Sequence, residues 1–583
     1  MNPSRYRRSL RGIPACNGYR ACGMVAVDPA SGDAPSRRPP LMDPLIAALL
    51  KPAAYDHPVQ RVQLLETHIS WILLTGSFAY ELRKPVQLGF VDFSTAARRR
   101  QDCIEEVRLN RRLAPDIYLG VRDIHGPPDQ ARFHGPGAVI EAAVQMRQFD
   151  QEALLPLVLQ RQGLDDSAID ALAQRLALFH DAAAVAPAGG AYGSAAMVIA
   201  PALANLQVLE ESAAMAELDP LRHWTETTAE QLTPLFQKRL AAGLVRECHG
   251  DLHLGNMALL ADEIVVFDCL EFNESLRWID PISDMAFLVM DLEQVAQPRL
   301  AARLLNGWLS WGGDYGGLHL WRWYLTYRAL VRAKVTALRL AQLQPPDSPD
   351  SGPTLQLRTQ LAGYLALARQ CCKPAAPQVA MAEGTMPQAL LICHGVSGSG
   401  KSHLARQICD RAGWIHLRSD VERRRLFGRW GVPGGPRWSG EPGADAYDPA
   451  VSQHLYEQRL PACAEAILVA GYSTVVDATF LKSSQRAVMV ALARRCGIPI
   501  VILACCVSPS LARRRLAERQ QQGGDASEAN ASVLEHQLQD QQPFTPEEGP
   551  LVLNVDMTNP FDCEGFWSEL QSLLVNRNCQ APL

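Results

Sequence analysis

The eight residues Gly395-Val396-Ser397-Gly398-Ser399-Gly400-Lys401-Ser402 have the types and spacing to grip a polyphosphate. Their glycines let backbone N–H groups curl toward an anion, and a helix starting behind them adds the partial positive charge of its N-terminus. Lys401 is expected to reach the β- and γ-phosphates of a bound ATP, and the Ser402 hydroxyl to ligate Mg²⁺. The segment follows the apolar run 389–393 and precedes the helical pattern of 402–411, as that chemistry requires. With seven lysines in the chain, a chance match falls below ~1%; the alternative is a plain glycine-rich turn.

Two carboxylates in the same half stand where phosphoryl transfer would use them. Asp420 follows the second strand-like run, within Arg418-Ser-Asp-Val-Glu-Arg-Arg-Arg425, at the carboxyl edge where open α/β sheets hold ligands. A carboxylate there can take the proton of an attacking hydroxyl, while Arg423 and its neighbours bind an anionic substrate or product. A helix cap with a solvated basic face is the alternative. Asp477 ends the third run, Ser473-Thr-Val-Val-Asp477, and can hold Mg²⁺ through water or orient the substrate; otherwise it is a strand-end turn residue.

Residues 389–560 resemble the P-loop kinase group that includes polynucleotide 5′-kinases, gluconate kinases and zeta toxins, with the loop, Ser419-Asp420 and Val476-Asp477-Ala478-Thr479 in matching order. The resemblance implies that the helix carrying Arg513, Arg514, Arg515 and Arg519 is a mobile lid. Its Arg515 and Arg519 would neutralise charge on the transferring group. A solvated helix is the other reading. Ala478 after Asp477 favours a kinase over a motor ATPase, where adjacent acids are usual.

In the first half, His249-Gly250-Asp251-Leu-His253-Leu-Gly-Asn256, followed by Phe267-Asp268, resembles the catalytic core of aminoglycoside phosphotransferases and other kinase-like enzymes. By that likeness Asp251 orients or deprotonates the acceptor hydroxyl, Asn256 and Asp268 hold Mg²⁺, and His249 braces the loop. Asp284 matches a later acid that is usually structural. A zinc site on His249 and His253 is the rival, but Gly250 and Gly255 disfavour the helix that would align them. Upstream, Phe78-Ala79-Tyr80-Glu81 sets Glu81 where kinases of this fold carry a lysine. Arg83 or Lys84 is then the candidate nucleotide contact, with Glu106 or Glu105 as its partner. Glu81 at that position leaves the first domain as either a weak kinase or a pseudokinase.

These residues need elements to hold them. At 583 residues, ~150 per domain gives three or four folding units. A composition of 48% hydrophobic and 20% charged residues is that of a globular protein with large cores. The net charge of −5 argues against a bulk nucleic-acid binder, and residues 389–583 hold 19 basic against 20 acidic side chains. No apolar run reaches the ~20 residues of a membrane helix, and 15 scattered cysteines fit a reducing cytoplasm. Residues 1–27 carry five arginines and no acid, the pattern of a transit peptide or of an unfolded extension before a start at Met24 or Met42.

A hairpin is expected from 68–74 and 78–84, a helix over 95–113, a strand over 138–148, helices over 151–184 and much of 202–244, a strand near 263–267, and helices through 340. After the Pro/Ser/Asp breaker 344–353 and one helix over 355–372, short apolar runs at 389–393, 414–417, 473–476, 498–505 and 551–555 alternate with helices, which predicts a parallel sheet. The expected organisation is an extension 1–41, a bilobal kinase-like domain 42–345, a linker 346–388 with one helix, and a P-loop parallel α/β domain 389–583. The segments ETHISWILLTG, GFVDFST, RLNRRLAPDIYLGV and CHGDLHLGN resemble a bacterial two-domain family that fuses these modules.

The fold class expected is α/β and α+β, and the function an ATP- and Mg²⁺-dependent phosphotransferase with two nucleotide-binding modules that transfers the γ-phosphoryl group to a hydroxyl of a small molecule or a nucleic-acid end, cytoplasmic and without membrane association. The alternative is a nucleotide-binding regulatory protein with a ligand-sensing pseudokinase domain and a P-loop switch. Aminoglycoside modification is a third and weaker reading, because that polycation wants an acidic pocket the sequence does not reveal.

Overall fold

The structure, a computed structural model of the chain, describes residues 25–26, 42–88, 91–187, 189–211, 218–343, 352–373, 386–431, 448–522, 527, 529–558 and 563–578. Most of the expected extension 1–41, most of the breaker 344–353 and the stretch 374–385 lie outside the described residues.

The first half begins with an antiparallel sheet of β1 (Val25–Ala26), β2 (Gln63–Glu66), β3 (Ser70–Leu74), β4 (Phe78–Arg83), β5 (Tyr118–His125) and β6 (Val139–Arg147). Its order is β1-β2-β3-β4-β6-β5. Gly76, at φ +94°, turns β3 into β4. One sheet face buries Leu73, Tyr80 and Leu82 against Ile46 and Leu49. Helix α1 (Ala96–Asn110) packs Cys103 and Val107 against Tyr118 and Val144. Its N-terminus is capped by Thr95, whose hydroxyl accepts the Arg98 N–H at 3.3 Å. Strand β5 is absent from the sequence expectation; its residues YLGVRDIH mix Gly, Arg and Asp and show no clean alternation.

The helical part of this half contains α2 (Asp166–Ala182), the hairpin β7 (Met257–Leu260) and β8 (Glu263–Val266), then α3 (Pro281–Gln294), α4 (Pro298–Gly312), α5 (Leu318–Leu343) and α6 (Gly352–Cys372). Pro281 starts α3 where its missing N–H costs nothing, and Asp280 caps it by accepting the Ile282 N–H at 3.0 Å. Helix α6, expected as a piece of linker, buries Tyr364, Leu365 and Ala368 in the same cluster as Leu330 and Ala333 of α5.

The second half is a five-stranded parallel sheet of β9 (Leu390–His394), β10 (Ile415–Arg418), β11 (Thr474–Asp477), β12 (Ile500–Cys506) and β13 (Val552–Asp556), in the order β10-β11-β9-β12-β13. Parallel pairing requires crossovers, which is why each strand is followed by helix. The helices bearing function are α7 (Lys401–Ala412), α8 (Ser419–Leu426), α9 (Pro509–Gln522) and α10 (Ala531–Asp540). The halves are not separated by solvent: one hydrophobic cluster runs from Trp308 and Leu309 of α4 into Ile415 and Leu417 of β10.

Candidate active site

Strands β9, β11 and β10 are neighbours, so the segments leaving their carboxyl ends arrive at one sheet edge. After β9 comes the loop 395–402, after β10 the start of α8 with Asp420, and β11 itself ends on Asp477. Together they line a cavity of about 730 Å³. Lys401, Ser402, Asp420, Arg423, Asp477, Arg515 and Arg519 all border it.

The loop is held by its backbone. Gly395, Gly398 and Gly400 sit at φ +140°, +81° and +94°. A Cβ on Gly398 would come within 2.6 Å of the Ala512 carbonyl oxygen, so helix α9 seats directly on the loop. The Lys401 ammonium donates to the Val396 carbonyl at 2.7 Å and to Ser399 Oγ at 3.4 Å. Gln537 of α10 accepts the Ser397 N–H at 2.7 Å. Of the arginines at 423–425, Arg423 faces the cavity and donates to Ser452 Oγ at 3.0 Å, whereas Arg425 is bonded to buried Glu422 and to the Ser310 carbonyl. On α9, Arg513 pairs with exposed Glu535 at 2.8 Å, while Arg515 reaches the Met557 carbonyl at 2.8 Å and Arg519 that of Ala529 at 3.0 Å.

Burial alone would raise the Asp477 carboxyl, but His416, Arg418 and Lys401 outweigh it and hold the group well below the ordinary carboxylate range. His416 Nε2 lies 3.3 Å from Asp477 Oδ2. Burial in turn lowers His416, which favours the neutral ring with Nε2–H as donor. Tyr456 also borders the cavity, its hydroxyl 2.8 Å from Thr479 Oγ1, and like His416 and Gln537 it is absent from the sequence expectation. A histidine interrupting the apolar run Ile415-His416-Leu417 was the one available signal.

In the first half, Asn256 meets Asp251 within the loop 249–256, and Phe267, the neighbour of Asp268, donates its N–H to the Asn256 carbonyl at 3.0 Å. Asn256 Nδ2 donates to the Asp251 backbone carbonyl at 3.0 Å and to its Oδ2 at 3.2 Å. His249 accepts the Asp251 N–H on Nδ1 at 3.3 Å and donates from Nε2 to the Phe267 carbonyl at 3.0 Å. Burial pushes this imidazole down to about 4. Both its nitrogens are engaged, which leaves no lone pair for zinc. Asp284, wholly buried, takes the His249 and Gly250 amides at 2.8 and 3.0 Å and fixes the loop. His253 Nε2 stands 3.5 Å from Asp251 Oδ2. Burial would raise Asp251, yet His253, His249 and Arg332 hold it well below the usual range.

A smaller cleft of about 110 Å³ lies between β4 and the strand end at 146–149, with Ala79, Met146, Phe149 and Phe267 as apolar walls and Glu81 and Asp268 as its acids. Arg83 and Lys84, expected as nucleotide contacts, do not border it. Arg83 is fully enclosed and bonded to Glu81, Asp102, Glu106 and, at 2.9 Å, Glu271. Lys84 pairs with Glu66 at 2.5 Å and lies over the Trp71 ring. Glu106 therefore meets Arg83 inside the protein, and Glu105 turns to Arg108 and Arg277.

Among known proteins, the profile described as the phosphotransferase enzyme family matches residues 90–321, and that described as an AAA domain matches 390–544. An uncharacterized protein of Mycobacterium tuberculosis is 30% identical over 490 residues, covering 82% of this chain and 91% of its own length. One of Mycobacterium bovis matches with the same figures. Solved structures include a gluconokinase from Sinorhizobium meliloti, 20% identical over 33% of this chain and 95% of its own, at a TM-score of 0.23. A choline/ethanolamine kinase family protein from Mesorhizobium loti is 16% identical over 55% and 94%, at 0.30. No described helix is long and apolar enough to cross a membrane.

Proposed function

We propose that this chain, which belongs to the bacterial family joining a phosphotransferase module to a P-loop kinase-like module, transfers the γ-phosphoryl group of ATP to a hydroxyl in the cavity of its second half. The observation that carries this reading is the convergence of Lys401, Ser402, Asp420, Arg423, Asp477, Arg515 and Arg519 on one cavity. In it, the 395–402 backbone and Lys401 bind the triphosphate. Asp420 takes the proton of the acceptor hydroxyl, Arg423 binds an anionic group of the acceptor or product, and Arg515 and Arg519 offset charge on the transferring group. Ser402 and Asp477 offer oxygen donors, one of them held ionised, which suits Mg²⁺. That ion supplies charge neutralisation between the β- and γ-phosphates. The acceptor is a small molecule or the terminal group of a nucleic acid.

A second reading, a regulatory protein whose first module senses a ligand without turnover, is favoured by one observation: Glu81 borders the cleft of that module while Arg83 is enclosed by four carboxylates. A triphosphate there would meet Glu81 and Asp268 with Arg147 as the one cation of the cleft lining, and no lysine in that lining. Single-turnover incubation of γ-labelled ATP with a cell extract separates the readings. Label on an acceptor that is lost in Lys401→Ala and retained in Asp251→Ala supports transfer by the second half. Loss only in Asp251→Ala moves the chemistry to the first, and ATP binding with no labelled acceptor in any extract supports the regulatory reading.

A further inference from the structure

Strand β10 is the edge of the parallel sheet, and an edge strand leaves a row of backbone groups unpaired unless something covers it. Its cover comes from the other half of the chain. Asn306 on α4 accepts the His416 N–H on Oδ1 at 2.7 Å and donates from Nδ2 to the Trp414 carbonyl at 2.9 Å, the two bonds a neighbouring strand would make. Around it, Arg303 of α4 reaches Asp410 at 3.2 Å, Trp311 stacks on Trp430 with centroids 4.4 Å apart, and the Ser310 carbonyl accepts the Trp430 indole N–H at 3.0 Å.

The residue so pinned is the one that touches Asp477. His416 Nε2 is 3.3 Å and Arg418 Nε 3.7 Å from the same oxygen of Asp477, Oδ2. Both contacts fall on one oxygen, so the other has the coordination capacity to offer. A buried imidazole that donates to a ligating carboxylate fixes its orientation, the usual work of a group behind a metal ligand. We infer that His416 is a positioning residue for Asp477, and that Asn306 of the phosphotransferase module holds it in register, so the P-loop site is assembled by both halves of the chain. This rests on the proposed role of Asp477 in the phosphoryl-transfer site.

The test uses the full-length protein with Mg²⁺ and γ-labelled ATP, with hydrolysis to water as the turnover readout, and amide hydrogen exchange of peptides covering 414–418 and 474–479 in nucleotide-free protein. His416→Leu is expected to raise the Mg²⁺ concentration for half-maximal turnover and lower kcat, each by ~10-fold or more, with the KM for ATP within ~2-fold. His416→Gln keeps an N–H donor and should recover most of the loss; His416→Asn, too short to reach, should not. Asn306→Ala should accelerate exchange at both peptides and shift the Mg²⁺ dependence in the same direction by ~3-fold or more.

Unchanged exchange in Asn306→Ala, or equal Mg²⁺ dependence in the Gln and Asn variants, overturns the inference. Should His416→Leu not fold, the Gln and Asn pair reads the same contact. Absence of Mg²⁺-dependent ATP affinity in the unaltered protein would instead remove the proposed function, and the exchange result would still report whether Asn306 pins the strand.

Discussion

Arg83 and Glu106 form an ion pair in which neither side chain is exposed to solvent. Arg83 also bonds Glu81, Asp102 and Glu271, and its own pKa is raised: burial opposes the charge, and Glu106, Asp102 and the other acids outweigh burial. One guanidinium thus offsets four carboxylates from β4, α1 and the segment after Asp268. Removing a partner from such a cluster leaves buried charge uncompensated, which costs about 3–5 kcal/mol. Arg83→Met is therefore expected to loosen the first sheet, with hydrogen exchange at 78–83 and 99–110 rising by more than ~100-fold while 390–418 is unaffected. Unaltered exchange at 78–83 would mean that the acids are held by something else.

The alternation of apolar runs with helices between 390 and 556 was readable because a buried parallel strand is a short apolar run and a crossover helix must follow it. The loop 395–402 was readable because its glycines are needed at positive φ. Less was legible where the outcome depends on tertiary contact. Arg83 and Lys84 have the right charge and lie near the right strand face, but four acids from distant segments enclose one and Glu66 takes the other. Nothing in the run 298–312 signals that Asn306 completes another module's sheet; that role exists only once β10 lies beside α4. Helix α6 resembled linker because breakers flank it, yet Tyr364, Leu365 and Ala368 face a core.

Gly398 offers a test of how closely α9 seats on the loop. It combines φ +81° with a Cβ position 2.6 Å from the Ala512 carbonyl, a backbone atom that cannot swing aside. Gly398→Ala is expected to push α9 off the loop and weaken ATP binding by more than ~10-fold, while Gly413→Ala, with open space around its Cβ position, should leave affinity within ~2-fold. Equilibrium binding of labelled ATP to both variants decides it, and equal affinities would count against this seating.

The arginines of α9 separate by geometry. Arg515 and Arg519 border the cavity, and Arg513 pairs outward with Glu535 at an exposed position. Arg515→Ala and Arg519→Ala should each lower kcat for ATP turnover by ~100-fold with small effect on KM, as removal of a group stabilising transition-state charge does. Arg513→Ala should stay within ~2-fold. A loss shared equally by all three variants would point to helix stability instead of charge placement.

Glu293 of α3 sets a pH dependence of stability that is independent of both sites. It lies beside Cys371 and Tyr472, and burial pushes its carboxyl from an ordinary 4.5 up to about 7. The folded protein therefore holds this proton more tightly than the unfolded chain does. Its contribution is fully present below pH 4.5, declines as pH rises toward 7, and is gone above that, a change of about 3 kcal/mol. Glu293→Gln removes the titration and keeps the shape. Its thermal midpoint should match that of the unaltered protein at pH 4 and exceed it by ~2–6 °C at pH 8. A variant less stable at pH 8 would show that the charged carboxylate has a partner in the folded protein, the opposite of what its burial dictates.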